Sequence, residues 1–130
     1  MKILLAEDDF ASRKFMQKYL DKYGDCDVTV DGGEAVDAFL MALEDDEPYD
    51  LICLDVMMPV LDGYQVLKAI RSMEKERGIT GDNIVKIIMT TALNEEKNVR
   101  VAFELGCTVY CNKPIDQEKF EQVLTKLKLI

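Results

Sequence analysis

Five times along this chain a short apolar run is followed by a longer segment whose apolar residues recur at helical spacing, and that alternation limits the fold more than any other feature. Lys2-Ile3-Leu4-Leu5-Ala6, the residues near 26–30, Leu51-Ile52-Cys53-Leu54, Ile84-Val85-Lys86-Ile87-Ile88-Met89 and Thr108-Val109-Tyr110-Cys111 are short and bounded by turn signals. Such runs read as strands buried on both faces. The segments after them carry one-sided apolar faces: Phe15, Met16, Tyr19 and Leu20, then Ala35, Val36, Phe39, Leu40 and Leu43, then Val66, Leu67, Ile70 and Met73. Val99, Ala102 and Phe103 mark a fourth helix, and Phe120, Val123, Leu124 and Leu127 a fifth. The order is (βα)5, an α/β fold in which helices cover both faces of a doubly wound, parallel five-stranded sheet through right-handed crossovers. At 130 residues the chain holds one core and not two, so 1–130 is expected to be a single domain.

Punctuation agrees with that order. Asp62 before Gly63 and Asp116 are placed to accept hydrogen bonds from the free amides of the third and fifth helices. Gly24, Gly78 and Gly106 follow the first, third and fourth helices, where a left-handed residue is commonly needed. Residues 74–83, Glu-Lys-Glu-Arg-Gly-Ile-Thr-Gly-Asp-Asn, read as a polar connection longer than most.

Open sheets of this kind place their ligand crevice outside the carboxyl ends of the strands. The first strand ends there in Glu7-Asp8-Asp9, and the third in Asp55, followed by Val-Met-Met-Pro and then Asp62-Gly63. Three or four carboxylates in one crevice do not all stay ionised without a counter-cation. Oxygen-only ligands suit Mg2+, which binds through one or two carboxylates and the phosphate oxygens of a substrate. The fourth strand ends in Met89-Thr90-Thr91-Ala92 and the fifth in Asn112-Lys113-Pro114, which completes the requirements of phosphoryl transfer to a carboxylate. Those are a nucleophile, a cation at the phosphoryl oxygens and donors for the remaining oxygens. Taken singly, each residue has a plainer explanation: Asp8 and Asp9 as helix caps, Thr91 as a strand end, Lys113 as a solvated lysine. Asp55 resists such a reading, because a carboxylate against a buried strand requires compensation, and the joint occurrence at four strand ends favours function.

A formal net charge of -9 argues against nucleic acid as a partner, because affinity there depends on Lys and Arg neutralising phosphates. A protein partner fits better. With no histidine in the chain, histidine-based catalysis within it is excluded. Cys26, Cys53, Cys107 and Cys111 read as reduced core thiols rather than as a zinc site or disulfides. No stretch has the length of a membrane span, and the acids at 7–9 interrupt any leader, so the expectation is a cytoplasmic protein that does not engage a membrane.

These residues resemble the receiver domain of bacterial response regulators, most of all its stand-alone, chemotaxis-regulator-like (CheY-like) form. The resemblance spans nearly all of residues 1–128 and rests on Ile-Leu-Leu-Ala-Glu-Asp-Asp, Leu-Asp-Val-Met-Met-Pro-Val-Leu-Asp-Gly, Thr-Thr-Ala at 90–92 and Lys-Pro at 113–114. It implies the flavodoxin-like strand order 2-1-3-4-5. It further implies Asp55 as phosphoacceptor, Glu7 and Asp8 as the acidic pair for Mg2+, Met57 contributing its backbone carbonyl, Thr91 as the switch hydroxyl, Lys113 as the phosphoryl-contacting ammonium and Tyr110 as a switch aromatic. The spacing to Arg13 selects Glu7 and Asp8, with a register that brings in Asp9 as the alternative.

By the same resemblance the partners are a sensor histidine kinase or a histidine phosphotransfer protein and a downstream protein target. The chain is expected to be a monomer, with a phosphorylation-dependent dimer as the alternative. It is expected to catalyse only its own phosphorylation and dephosphorylation. Because it stops at Leu127-Lys128-Leu129-Ile130, an effector domain is not expected. Met57 and Leu93, two residues beyond the acceptor and the threonine, are expected to shield an acyl phosphate from water. Rival readings are a relay shuttle, a receiver-shaped module that is never phosphorylated, and a phosphatase of the haloacid dehalogenase type, whose nucleophile follows the first strand.

Overall fold

The computed structural model describes residues 1–92 and 96–130, with the side chains of 96–98 outside the description. Its elements run β1 (Lys2–Ala6), α1 (Phe10–Leu20), β2 (Asp25–Thr29), α2 (Gly32–Glu44), β3 (Leu51–Asp55), α3 (Gly63–Glu76), β4 (Lys86–Thr91), α4 (Glu96–Glu104), β5 (Val109–Asn112) and α5 (Gln117–Lys126). The strands form one parallel sheet in the order β2-β1-β3-β4-β5, as the resemblance implied. In the centre, Ile3, Leu4, Leu5 and Ala6 pair with Leu51 through Leu54, and Leu51 through Asp55 with Lys86 through Thr90. Every residue of β3 is buried, the burial that its unbroken apolar run required.

Alternating strand residues feed two cores. Leu4, Ile52, Leu54, Ile87 and Met89 meet Phe39, Val66, Leu67, Ile70 and Ala102 on one face, while Ile3, Leu5, Cys53 and Ile88 meet Met16, Tyr19, Leu20, Phe120 and Leu124 on the other. Two expected core residues stand largely in solvent: Phe15 is 44% exposed and Phe103 49%. In each case the adjacent residue, Met16 or Ala102, takes the inward position, which leaves the phenylalanine about 100° round the helix.

The helix ends carry the expected caps and one correction. Asp62 accepts from the Gln65 amide at 2.9 Å while the Gln65 side chain accepts from the Asp62 amide at 2.9 Å, and Asp116 accepts from the Lys119 amide at 3.1 Å. Gly78 and Gly106 have φ of +71° and +103°, the left-handed geometry that caps α3 and α4. Gly24 does not share it. A Cβ at Gly24 would lie 1.9 Å from the Met1 carbonyl oxygen, so close approach and not handedness requires the glycine.

The 74–83 connection is shorter than its polarity implied, because α3 runs on to Glu76. Glu74, only 2% exposed, accepts from the Val85 amide at 2.7 Å and from the Arg71 guanidinium at 2.7 Å. The Val85 amide is thereby withdrawn from the sheet, and β4 begins at Lys86 rather than at Ile84.

Candidate functional site

Beyond the last residue of β1, the Glu7 amide donates to the Thr29 carbonyl at 3.1 Å, which holds Glu7 at the rim of the sheet with its side chain buried. Asp8 follows, exposed. Asp9 turns to α1, accepting from the Ser12 amide at 2.9 Å, and this capping bond lowers its pKa below the ordinary value. The plain explanation offered for both aspartates therefore holds for Asp9 alone. One strand over, Asp55 closes β3 at 5% exposure. The Val56 amide donates to the Thr90 carbonyl at 3.1 Å and the Gly63 amide to the Val56 carbonyl at 2.8 Å, so the loop after Asp55 folds back on the strand end. A Cβ at Gly63 would lie 2.5 Å from the Asp55 carbonyl oxygen, and only glycine permits that approach.

Lys113 crosses from the end of β5. Its amide donates to the Thr91 carbonyl at 2.8 Å, and its ammonium donates to Glu7 and lies 3.1 Å from Asp55 Oδ1. Glu7, Asp8 and Asp55 each bring a carboxylate oxygen within 4.8 Å of the others. Among the described residues no other cluster of three or more acids, cysteines or histidines has comparable geometry. The crevice thus sets three carboxylates against one ammonium.

Burial, reinforced by the neighbouring Glu7 carboxylate and opposed by Lys113, pushes the Asp55 carboxyl up to about 7. Burial also works against the Lys113 ammonium, but its bonds to Glu7 and Asp55 outweigh it and leave its pKa above the ordinary lysine value. A donor set made of carboxylate oxygens, crowded enough to resist full ionisation, fits a hard divalent cation such as Mg2+.

The remaining expected site residues surround this group in different ways. Thr91 is the last residue of β4, 1% exposed and paired in register with Asn112. It follows Thr90, which lines a cavity with Ala11, Phe15 and Met16 of α1, so by strand alternation Thr91 points to the opposite face, that of Met89 and Tyr110. The Tyr110 hydroxyl is buried, and the Tyr64 hydroxyl is near enough to interact with it. Met57 is 63% exposed on the loop after β3, and Leu93 lies outside the described residues. The four cysteines are free thiols, and Cys107 donates to the Val109 carbonyl rather than pairing with Cys111.

In the structure one guanidinium nitrogen of Arg13 lies 3.2 Å from both the Glu7 and the Asp8 carbonyl oxygens. No periodicity signals such a contact, because it depends on how the turn folds back. Among the described residues no helix is long and apolar enough to cross a membrane.

Residues 3–125 match the model of the family described as the response regulator receiver domain. Sensor histidine kinase GacS of Pseudomonas protegens is 34% identical over 96% of this chain, which spans 13% of that protein. The chain spans 55% of the probable transcriptional regulator ycf29 of Porphyra purpurea and 10% of the osmosensing histidine protein kinase SLN1 of Saccharomyces cerevisiae, at 30% identity to each. Among solved structures, the receiver domain of Saccharomyces cerevisiae Ssk1, in complex with the histidine phosphotransfer protein Ypd1, superposes with a TM-score of 0.83 at 26% identity, covering 98% of this chain and 88% of that one. The CheX-CheY-BeF3-Mg complex from Borrelia burgdorferi gives a TM-score of 0.81 at 25% identity, covering 97% and 88%.

Proposed function

This chain belongs to the response regulator receiver domain family, and from that premise we propose that Asp55 accepts a phosphoryl group from a phosphohistidine of a sensor histidine kinase or histidine phosphotransfer protein. The observation that carries the proposal is the meeting of a buried strand-end carboxylate with Glu7, Asp8 and the Lys113 ammonium in one crevice. An Asp55 carboxylate oxygen attacks phosphorus, the P–N bond to the donor imidazole breaks, and its electron pair leaves on the imidazole nitrogen. Glu7 and Asp8, with Asp55 and the Met57 carbonyl, would hold Mg2+, which supplies charge neutralisation at the phosphoryl oxygens when bound. Lys113 stands beside Asp55 to donate a charge-assisted hydrogen bond to one of those oxygens.

The product carries about -1.5 to -2 charges in place of one, if it resembles other phosphorylated side chains, and offers new acceptor oxygens to Thr91 and Lys113. Thr91 shares its side of the sheet with Tyr110. A shift of Thr91 toward the phosphoryl group biases the packing around Tyr110 and so the surface of α4, β5 and α5, where the exposed Phe103 is placed to meet a downstream protein. The chain is thus a phosphoacceptor rather than a catalyst of turnover on a free substrate. The cytoplasm, where histidine kinases present their phosphohistidines, is the compartment this reading assigns.

The test is transfer of label from a phosphohistidine donor protein. The wild type takes up one hydroxylamine-sensitive phosphoryl group and Asp55→Asn takes up none; equal labelling of the two proteins would remove Asp55 from the role.

A further inference from the structure

Asp8 is the least secured member of the acidic group. It is exposed, whereas Glu7 is buried against Lys113, Asp55 is fixed by the end of β3, and Asp9 is committed to capping α1. Where its carboxylate points is set by the backbone that carries it. That backbone is gripped from α1: one Arg13 guanidinium nitrogen lies 3.2 Å from the Glu7 carbonyl oxygen and 3.2 Å from the Asp8 carbonyl oxygen. Two consecutive peptide planes are thereby tied to one charged donor. The guanidinium is itself held in place, its carbon 5.5 Å from the centre of the Phe10 ring, so the turn from Glu7 to Phe10 closes on a single side chain.

We infer that Arg13 is the positioning residue of the metal pair: by bridging the carbonyls of Glu7 and Asp8 it holds both carboxylates in the geometry that binds a divalent cation. The inference rests on the function proposed above and deepens it. A competing effect has the opposite sign, because a cation beside three carboxylates repels a second cation. The two are therefore separable by experiment. Arg13→Met keeps the aliphatic stem and removes both bonds and the charge; Arg13→Lys keeps the charge but carries it one bond nearer the helix than the bridging guanidinium nitrogen, so its ammonium falls short of the two carbonyls. Lys14→Met is the control, since Lys14 also lies over the Phe10 ring, at 5.6 Å, without touching either carbonyl.

Mg2+ titration by calorimetry on the full chain, with folding checked by circular dichroism, reads the effect directly. Losses on removing such outer partners of metal ligands are about 10-fold to 100-fold in affinity. A loss of about 10-fold in Arg13→Met and in Arg13→Lys, with Lys14→Met unchanged, is expected. In phosphorylation by acetyl phosphate the same two variants need about 10-fold more Mg2+ for half the maximal rate, while the rate at saturating Mg2+ is kept, a split that a general loss of structure would not produce. Unchanged or tighter Mg2+ binding in the variants would overturn the assignment, leaving Arg13 as a repulsive neighbour. Should Arg13→Met not fold, Arg13→Lys decides by the same criterion. Failure of the wild type to bind Mg2+ would overturn both this assignment and the proposed function, whereas unchanged affinity in the variants overturns this one alone.

Discussion

Replacing Asp55 with asparagine removes the charge that the crevice tolerates least in the absence of metal. The folded carboxyl lies at about 7 against an ordinary 3.8, raised first by burial and then by Glu7. Because the folded value is raised, this group stabilises the fold fully below about pH 4, and the contribution is lost as pH rises through about 7. At about 1.4 kcal/mol for each tenfold in the ionisation equilibrium, the rise from 3.8 to about 7 has a ceiling of about 4 kcal/mol, and the solvent admitted beside the exposed Asp8 brings it nearer 1–3 kcal/mol. Asparagine has the same shape, carries no charge and suffers no such loss.

In EDTA, urea unfolding of Asp55→Asn and wild type should therefore give similar midpoints near pH 4. The variant should pull ahead between about pH 4 and 7, and by pH 8 the gap should settle at about 1–3 kcal/mol, several degrees in melting temperature. Saturating Mg2+ should narrow or reverse the gap, because the ligand stabilises the protein that binds it and the variant has lost one of three carboxylates. Parallel stability curves from pH 4 to 8 would refute the reasoning, as would a variant less stable than wild type at pH 8 without metal.

Three further outcomes are expected. Lys113→Met leaves Glu7 and Asp55 buried without their cation and should cost about 2–4 kcal/mol at pH 8 and less at pH 5, read from urea midpoints; a pH-independent loss would contradict it. Val60 holds φ of +70°, with the Leu61 amide donating to the Pro59 carbonyl at 2.9 Å across it, a strained three-residue turn in which the valine side chain is 77% exposed. Val60→Gly should raise the melting temperature by relieving strain worth about 1–3 kcal/mol, less the extra unfolded-state entropy of glycine, about 0.5–1 kcal/mol, and a lowered melting temperature would count against strain there. Met57→Asn with Leu93→Glu should speed loss of the phosphoryl group about 10-fold, some 1.4 kcal/mol of barrier, in a dephosphorylation time course; an unchanged rate would remove water exclusion as the reason the group persists.

The sheet and both cores were legible because burial on two faces writes an unbroken apolar run, as at Leu51 through Leu54, and a helix against a sheet writes a periodic one, as at Val66, Leu67 and Ile70. The acids and Lys113 were legible as strand ends, since a parallel sheet brings all its carboxyl ends to one rim. Contacts decided by the path of the chain in three dimensions were not. Glu74 sits in a polar stretch that reads as solvated, and its burial becomes apparent only when the Val85 amide and Arg71 arrive to satisfy it. Gly24 reads like any glycine after a helix, yet its reason is the Met1 carbonyl. The grip of Arg13 on two carbonyls leaves no pattern in sequence because its acceptors are backbone atoms, which every residue has.

The central claim is that Asp55 takes up a phosphoryl group in a crevice that needs a divalent cation. Intact mass after incubation with a small acyl phosphate, with and without Mg2+, on wild type and Asp55→Asn, tests it most directly. The account predicts one added phosphoryl group on wild type in Mg2+ and none on wild type without the metal or on Asp55→Asn. No addition under any condition would contradict it and make the crevice part of a receiver-shaped binding module.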